Sequence, residues 1–175
     1  MNLITPAKPG VGTAPASGAE IFTCGNLMTS DCVMANLRAS NKKQVLQELA
    51  RKAAKLTGYK EEAIYEVLNE RELLGTTGIG HGIAIPHGKL PGLNRVYGVF
   101  AKLERPVDFD AIDNQPVDLI FLLLAPANCG TDHLKALAKV SRMLRDRILC
   151  EKMRGSTSCD AIYALMNETE NRSAA

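Results

Sequence analysis

The chain has 175 residues, 46% hydrophobic and 23% charged, enough for one globular domain with a sizeable core. Its formal charge of +2 is spread rather than clustered, and with four Phe, four Tyr and no Trp it offers neither a basic stripe nor a stacking platform for nucleic acid. No apolar run approaches the roughly 18 residues needed to span a bilayer, so the sequence predicts no stable membrane insertion and a cytoplasmic protein.

Residues 1–25 carry Pro6, Pro9, Pro15, Gly10, Gly12 and Gly18 among small side chains and lack the apolar middle of a secretory signal. They read as a flexible N-terminal extension before a domain over 26–170, with a short turn near Asn26-Leu27-Met28. Cys32 to Leu37 reads as a first strand. Ser40-Asn41 then caps a helix with Val45, Leu46, Leu49, Ala53 and Leu56 at helical spacing, stopped by Gly58. A second helix is predicted from about Lys60 to Leu74, burying Ile64, Val67 and Leu68 and ending at Gly75.

Gly75 to Gly88 holds five glycines and Pro86. Glycine serves where the chain needs positive φ or a close approach, and Pro86 pushes Ile85 toward an extended conformation. Ile83-Ala84-Ile85 therefore reads as a short buried strand, with His87 on a Gly-flanked turn just past its end. Val96 to Leu103 is rich in β-formers, Asp113-Asn114-Gln115-Pro116 reads as a turn, and Val117 to Ala125 as a fully buried strand. Thr131 or Asp132 caps a helix to about Arg145 with Leu134, Leu137, Val140 and Leu144 as its apolar stripe. Two shorter helices follow, near Asp146–Arg154 and Ser158–Glu168. The order β-α-α-β-β-β-α-α-α predicts an α/β fold, a layered α/β/α sandwich on a mixed sheet.

The five cysteines (Cys24, Cys32, Cys129, Cys150, Cys159) are odd in number and scattered, unlike a disulfide framework, and no Cys-x-x-Cys occurs. Cys129 and His133 lie four apart, but no second ligand pair stands near them in sequence, so neither metal nor cofactor is expected.

Two nucleotide motifs fail at the glycine stretch. Gly78-x-Gly80-x-Gly82 lacks the dinucleotide spacing, and Pro86 interrupts the helix that should follow. Between Gly82 and Gly88-Lys89 stand five residues rather than the four of a P-loop, and Leu90 occupies the Ser/Thr position. Phosphoryl transfer to an imidazole fits better. A neutral imidazole is a nitrogen nucleophile near pH 7, and backbone N–H groups exposed by glycines can meet the phosphoryl oxygens.

Ile64-x3-Leu68-x2-Arg71-Glu72-x2-Gly75-Thr76-Thr77-Gly78-Ile79-Gly80-x-Gly82 continues into Ile83-Ala84-Ile85-Pro86-His87-Gly88-Lys89. With Ala111 to Leu119 and His133-Leu134-x2-Leu137, this pattern resembles the enzyme IIA family of the bacterial phosphoenolpyruvate-dependent phosphotransferase system. Within it the chain is similar to the fructose/mannitol class, most of all to the nitrogen-regulatory subtype, over roughly residues 27 to 168. The resemblance implies that His87 is phosphorylated on Nε2 by an HPr-like phosphocarrier protein. It also implies that His133 contacts the phosphoryl group and that Arg71 lies near the site.

Residue chemistry leaves alternatives beside these roles. His133 falls in a first helical turn, where the positive helix end disfavours its imidazolium. Arg71 has Val67 rather than a carboxylate at i−4, and its planar fork suits phosphate as well as it suits a helix surface. His81 departs from the subtype pattern and reads as a solvent-facing loop residue. Asp113 and Asp118 read as turn and strand-end residues, since nitrogen-to-nitrogen transfer needs no carboxylate acid.

Three functions are compatible with this reading. One is a phosphoryl relay with regulatory output to target proteins. Another is a sugar-transport IIA component passing phosphate to a IIB domain of a fructose- or mannitol-like permease. The third is a non-phosphorylated binding module on the same scaffold. The absence of a fused IIB or permease favours the first.

Overall fold

The computed structural model describes residues 27–173; the N-terminal extension expected over 1–25 lies outside them. After a single 3₁₀ turn at Ser30–Cys32 come strand β1 (Val33–Leu37), helix α1 (Lys42–Thr57) and helix α2 (Glu61–Leu73). Five strands follow: β2 (Gly78–Gly80), β3 (Ile83–Ala84), β4 (His87–Leu90), β5 (Tyr97–Val107) and β6 (Val117–Pro126). Helices α3 (Asp132–Leu144), α4 (Arg147–Arg154) and α5 (Cys159–Ser173) complete the described chain.

Local signals set the helix ends. The Asn41 side chain accepts the Gln44 N–H at 2.9 Å, and Gly58, at φ 78°, closes α1 with its N–H on the Ala54 carbonyl. Asp146 caps α4 by accepting from the N–H groups of Ile148 and Leu149.

The sheet is mixed, in the order β1-β5-β6-β3-β2, with β4 also on β6. β6 is its centre. It runs antiparallel to β5 and parallel to β3 and β4, and nine of its ten residues are buried. A strand covered on both faces has no polar side to show, which is why Val117 to Pro126 reads as one apolar run. Its residues alternate between two cores. Leu119, Phe121, Leu123 and Ala125 join the cluster under α3, α4 and α5, whereas Ile120, Leu122 and Leu124 join that under α1 and α2. The α/β/α sandwich on a mixed sheet is thus the observed fold.

Where three strands were expected after the second helix, there are five, because the glycine stretch forms β2 and β4 on either side of the expected strand at Ile83. Ile83 pairs with Leu119 and His87 with Leu123, so β3 and β4 run along β6 in unchanged register on either side of Ile85-Pro86. Pro86 has no N–H to give, but its carbonyl still accepts from Leu123 at 3.0 Å. His87 therefore opens a strand instead of sitting on a turn. The chain folds back between β2 and β3 through Gly80, His81 and Gly82 at φ 98°, 56° and 79°. Of the expected α3 stripe, Val140 and Leu144 are buried and Leu137 partly so, but Leu134 is 54% exposed, and Ala136 and Met143 complete the buried face.

Candidate active site

His87 lies where the two helical layers meet at one end of the sheet. By strand alternation it shares a face with its partner Leu123, on the α3 side, while Gly88 faces α2. A Cβ on Gly88 would stand 2.4 Å from Val67 Cγ1, so only a glycine lets α2 pack this closely on β4. That approach brings Arg71, one helical turn beyond Val67, to His87.

The hydrogen bonds of the ring define its tautomer. His87 Nδ1 lies 2.9 Å from the Ile85 carbonyl, which only accepts, and Arg71 Nε, which only donates, lies 3.2 Å from His87 Nε2. The proton therefore sits on Nδ1 and the lone pair on Nε2. Burial pushes the imidazole pKa below 6.5, the Ile85 hydrogen bond opposes this, and the Arg71 charge adds to the lowering, with smaller effects from Glu72 and His133. The ring is neutral at pH 7 and presents an unprotonated nitrogen.

Arg71 is fixed in turn by Nη1, which donates to the Gly75 carbonyl at 2.9 Å. Its neighbour Glu72 points inward, 8% exposed, and its carboxylate accepts from Lys42 Nζ at 2.7 Å, from the Thr77 N–H at 3.2 Å and from the Thr77 hydroxyl. This buried knot ties the end of α2, the start of α1 and the residue entering β2 into one unit. The sequence reading gave Glu72 and Thr77 no role, because the contact with Lys42 joins segments 30 residues apart in sequence.

A cavity of about 390 Å³ opens beside His87. Arg71, Lys89 and Glu70 give it charge, Leu74 and Leu134 an exposed apolar rim, and His133 lines it from the first turn of α3. Thr131, the α3 N-cap, makes no side-chain cap bond, so positive helix potential is left near His133. His133 Nδ1 lies 3.6 Å from Cys129 Sγ. The structure thus assembles all three residues singled out for chemistry, His87, His133 and Arg71, around one cavity.

His81 is not among the residues lining it. That side chain is exposed, and the backbone is clamped, its N–H donating to Asp113 at 2.9 Å and its carbonyl accepting from Arg154 Nη2 at 2.9 Å. Asp113 also accepts the Gln115 N–H within its turn, and Asp118 pairs with Arg154 through two bonds of 2.9 and 3.0 Å. Neither carboxylate reaches His87's cavity. Among the described residues no three His, Cys, Asp or Glu side chains gather as a metal site, and no helix is long and apolar enough to cross a membrane.

The model of the family "Phosphoenolpyruvate-dependent sugar phosphotransferase system, EIIA 2" matches residues 26–169. A nitrogen regulatory protein of Bradyrhizobium diazoefficiens is 54% identical over 141 residues, spanning 81% of this chain and 92% of its own. The crystal structure of the nitrogen regulatory protein IIA-Ntr from Neisseria meningitidis superposes with a TM-score of 0.77 at 31% identity, over 81% of this chain and 97% of that one. The mannitol enzyme IIA of Escherichia coli, solved in complex with phosphorylated mannitol enzyme IIB, gives a TM-score of 0.67 over 79% of this chain and 96% of its own; at 21% identity the likeness is one of fold.

Proposed function

The chain belongs to the EIIA 2 family of the phosphoenolpyruvate-dependent sugar phosphotransferase system, and on that premise we propose that it carries a phosphoryl group on His87 Nε2. The observation that supports this most is the tautomer. With Nδ1 donating to Ile85, the lone pair of Nε2 is directed at Arg71, beside the cavity. The donor is a phosphohistidine on an HPr-like protein. Its P–N bond breaks as the bond to Nε2 forms, the donor imidazole recovers its lone pair, and no proton need change place. Such a transition state is loose, with charge on the equatorial oxygens, so the protein contributes position and electrostatics. Arg71 moves its donors from the ring nitrogen to those oxygens, and His133 gives them a further contact.

The output is regulatory, as in the nitrogen regulatory relatives, with target proteins reading about two negative charges added at an apolar rim. Transfer to a IIB domain is the second reading, favoured by the fold shared with the mannitol IIA seen with phosphorylated IIB. Either role places the protein in the cytoplasm with its donor.

Incubation with labelled phosphoenolpyruvate, enzyme I and an HPr-like carrier tests the proposal. Acid-labile, base-stable label is expected on the wild type and on His81→Ala, and none on His87→Ala. An unlabelled wild type in the presence of phosphorylated carrier would refute the proposal. Onward transfer to purified IIB proteins separates the two outputs.

A further inference from the structure

We propose that Cys129 is a positioning residue for His133, its thiol holding that ring in the tautomer that carries the proton on Nε2. This rests on the reading of His133 as a phosphoryl contact. The chain places the two residues together by consecutive tight turns. The Cys129 N–H donates to the Pro126 carbonyl at 3.3 Å, and the Asp132 N–H donates to the Cys129 carbonyl at 3.2 Å. Gly130, at φ 62°, lets the backbone reverse between them. Cys129 Sγ then stands 3.6 Å from His133 Nδ1, within the reach of a sulfur hydrogen bond.

The direction of that bond follows from what each choice leaves at Nε2. A thiol is weak both as donor and as acceptor, but only S–H donating to the good acceptor Nδ1 leaves the ring a proton on Nε2 for the cavity. The other half-buried thiol described, Cys159, donates in the same way, to the Val33 carbonyl at 3.2 Å. With Nδ1 accepting, a neutral ring must carry its proton on Nε2. His133 Nε2 then has an N–H for a phosphoryl oxygen in the shared cavity. The opposite tautomer would present a lone pair to that oxygen and repel it.

The cavity thus contains two histidines held in opposite tautomers. A carbonyl acceptor at Nδ1 of His87 leaves a lone pair on Nε2, and a thiol donor at Nδ1 of His133 leaves a proton there. One ring is prepared to attack and the other to donate.

The test compares Cys129→Ala with Cys129→Ser, which keeps a hydroxyl donor. Ring-nitrogen correlation spectra of His133 at neutral pH should show the Nε2–H form in the wild type and in Cys129→Ser. In Cys129→Ala they should move toward a mixture of tautomers. The rate of phosphoryl transfer from the carrier should fall roughly three- to tenfold in Cys129→Ala, the worth of one neutral hydrogen bond, and recover to within about twofold in Cys129→Ser. Wild-type ring shifts in Cys129→Ala, or Cys129→Ser as slow as Cys129→Ala, would overturn the proposal. The spectra decide it even where the wild type takes no phosphate, an outcome that refutes the function and leaves the pairing of Cys129 with His133 to be judged by the ring shifts.

Discussion

Replacing Gly88 with alanine tests how the site is held together. The new Cβ would lie 2.4 Å from Val67 Cγ1, against an ordinary carbon contact of about 3.5–4.0 Å, so something must yield by more than about 1 Å. Val67 cannot turn aside, because a β-branched side chain in a helix is confined almost to one rotamer. The displacement falls on α2 itself, and Arg71, four residues on, shares the face that moves. A shift of about 1 Å stretches the Arg71 Nε–His87 Nε2 contact from 3.2 Å to about 4 Å, where no hydrogen bond remains. Overpacking of this kind costs about 1–3 kcal/mol. Urea unfolding should therefore show a lowered midpoint at unchanged slope, together with slower phosphoryl transfer. Val67→Ala in the same chain removes the atom that clashes. A double-mutant cycle should then give a favourable coupling of about 1 kcal/mol or more, with recovery of transfer rate. Wild-type stability in Gly88→Ala, or no relief from Val67→Ala, would refute the close packing of α2 on β4 as the device that positions Arg71.

The lowered pKa of His87 has a signed consequence for stability. Between the folded pKa and 6.5 the unfolded chain binds the proton that the folded ring declines, so this group's contribution is full above pH 6.5 and is lost as pH falls through that window. Urea midpoints at pH 7.5, 6.5 and 5.5 should fall less in His87→Gln than in the wild type; the same decline in both would contradict it. Arg71→Gln should raise the His87 midpoint followed by proton NMR, since the guanidinium charge is one cause of the lowering. Glu72→Ala leaves the Thr77 N–H without its acceptor and Lys42 with only the Phe109 carbonyl and Asp110. Because Lys42 is 21% exposed and has Asp110 within 3.6 Å, the loss should lie at the low end of about 3–5 kcal/mol, read by thermal melting, and a change under about 1 kcal/mol would show the knot to be incidental.

The parts legible in the sequence are those with local causes. Asn41 and Gly58 bound α1 through contacts within a helical turn, and β6 announces itself because both its faces are covered. What the residue pattern alone could not give is what crosses the chain. Arg71 and His87 are 16 residues apart, and nothing in either neighbourhood states that a guanidinium should meet an imidazole; the resemblance alone placed Arg71 near the site. Leu134 has the spacing of a core residue, yet on the first turn of α3 it lines the cavity and stays exposed at its rim. Cys129 and His133 were visible as a pair at i, i+4, but spacing cannot distinguish a metal-ligand pair from a thiol donating to a ring.

Reading the segments on either side of Ile83-Ala84-Ile85 as turns rather than strands has the largest mechanistic consequence. Glycines and a proline suggest mobility, but here β2, β3 and β4 are hydrogen-bonded into the sheet and His87 is paired with Leu123 of the central, buried strand. Moving the His87 backbone would mean breaking the ladder to β6, so a group added at Nε2 cannot be read out by refolding of this segment. What remains free to respond is at the rim, where Leu74 and Leu134 are exposed and where, on the proposed function, Arg71 would exchange its ring-nitrogen partner for phosphoryl oxygens. A partner that distinguishes the two states must therefore sense charge and side-chain position on a fixed surface, and its discrimination should weaken with added salt as exposed charges are screened.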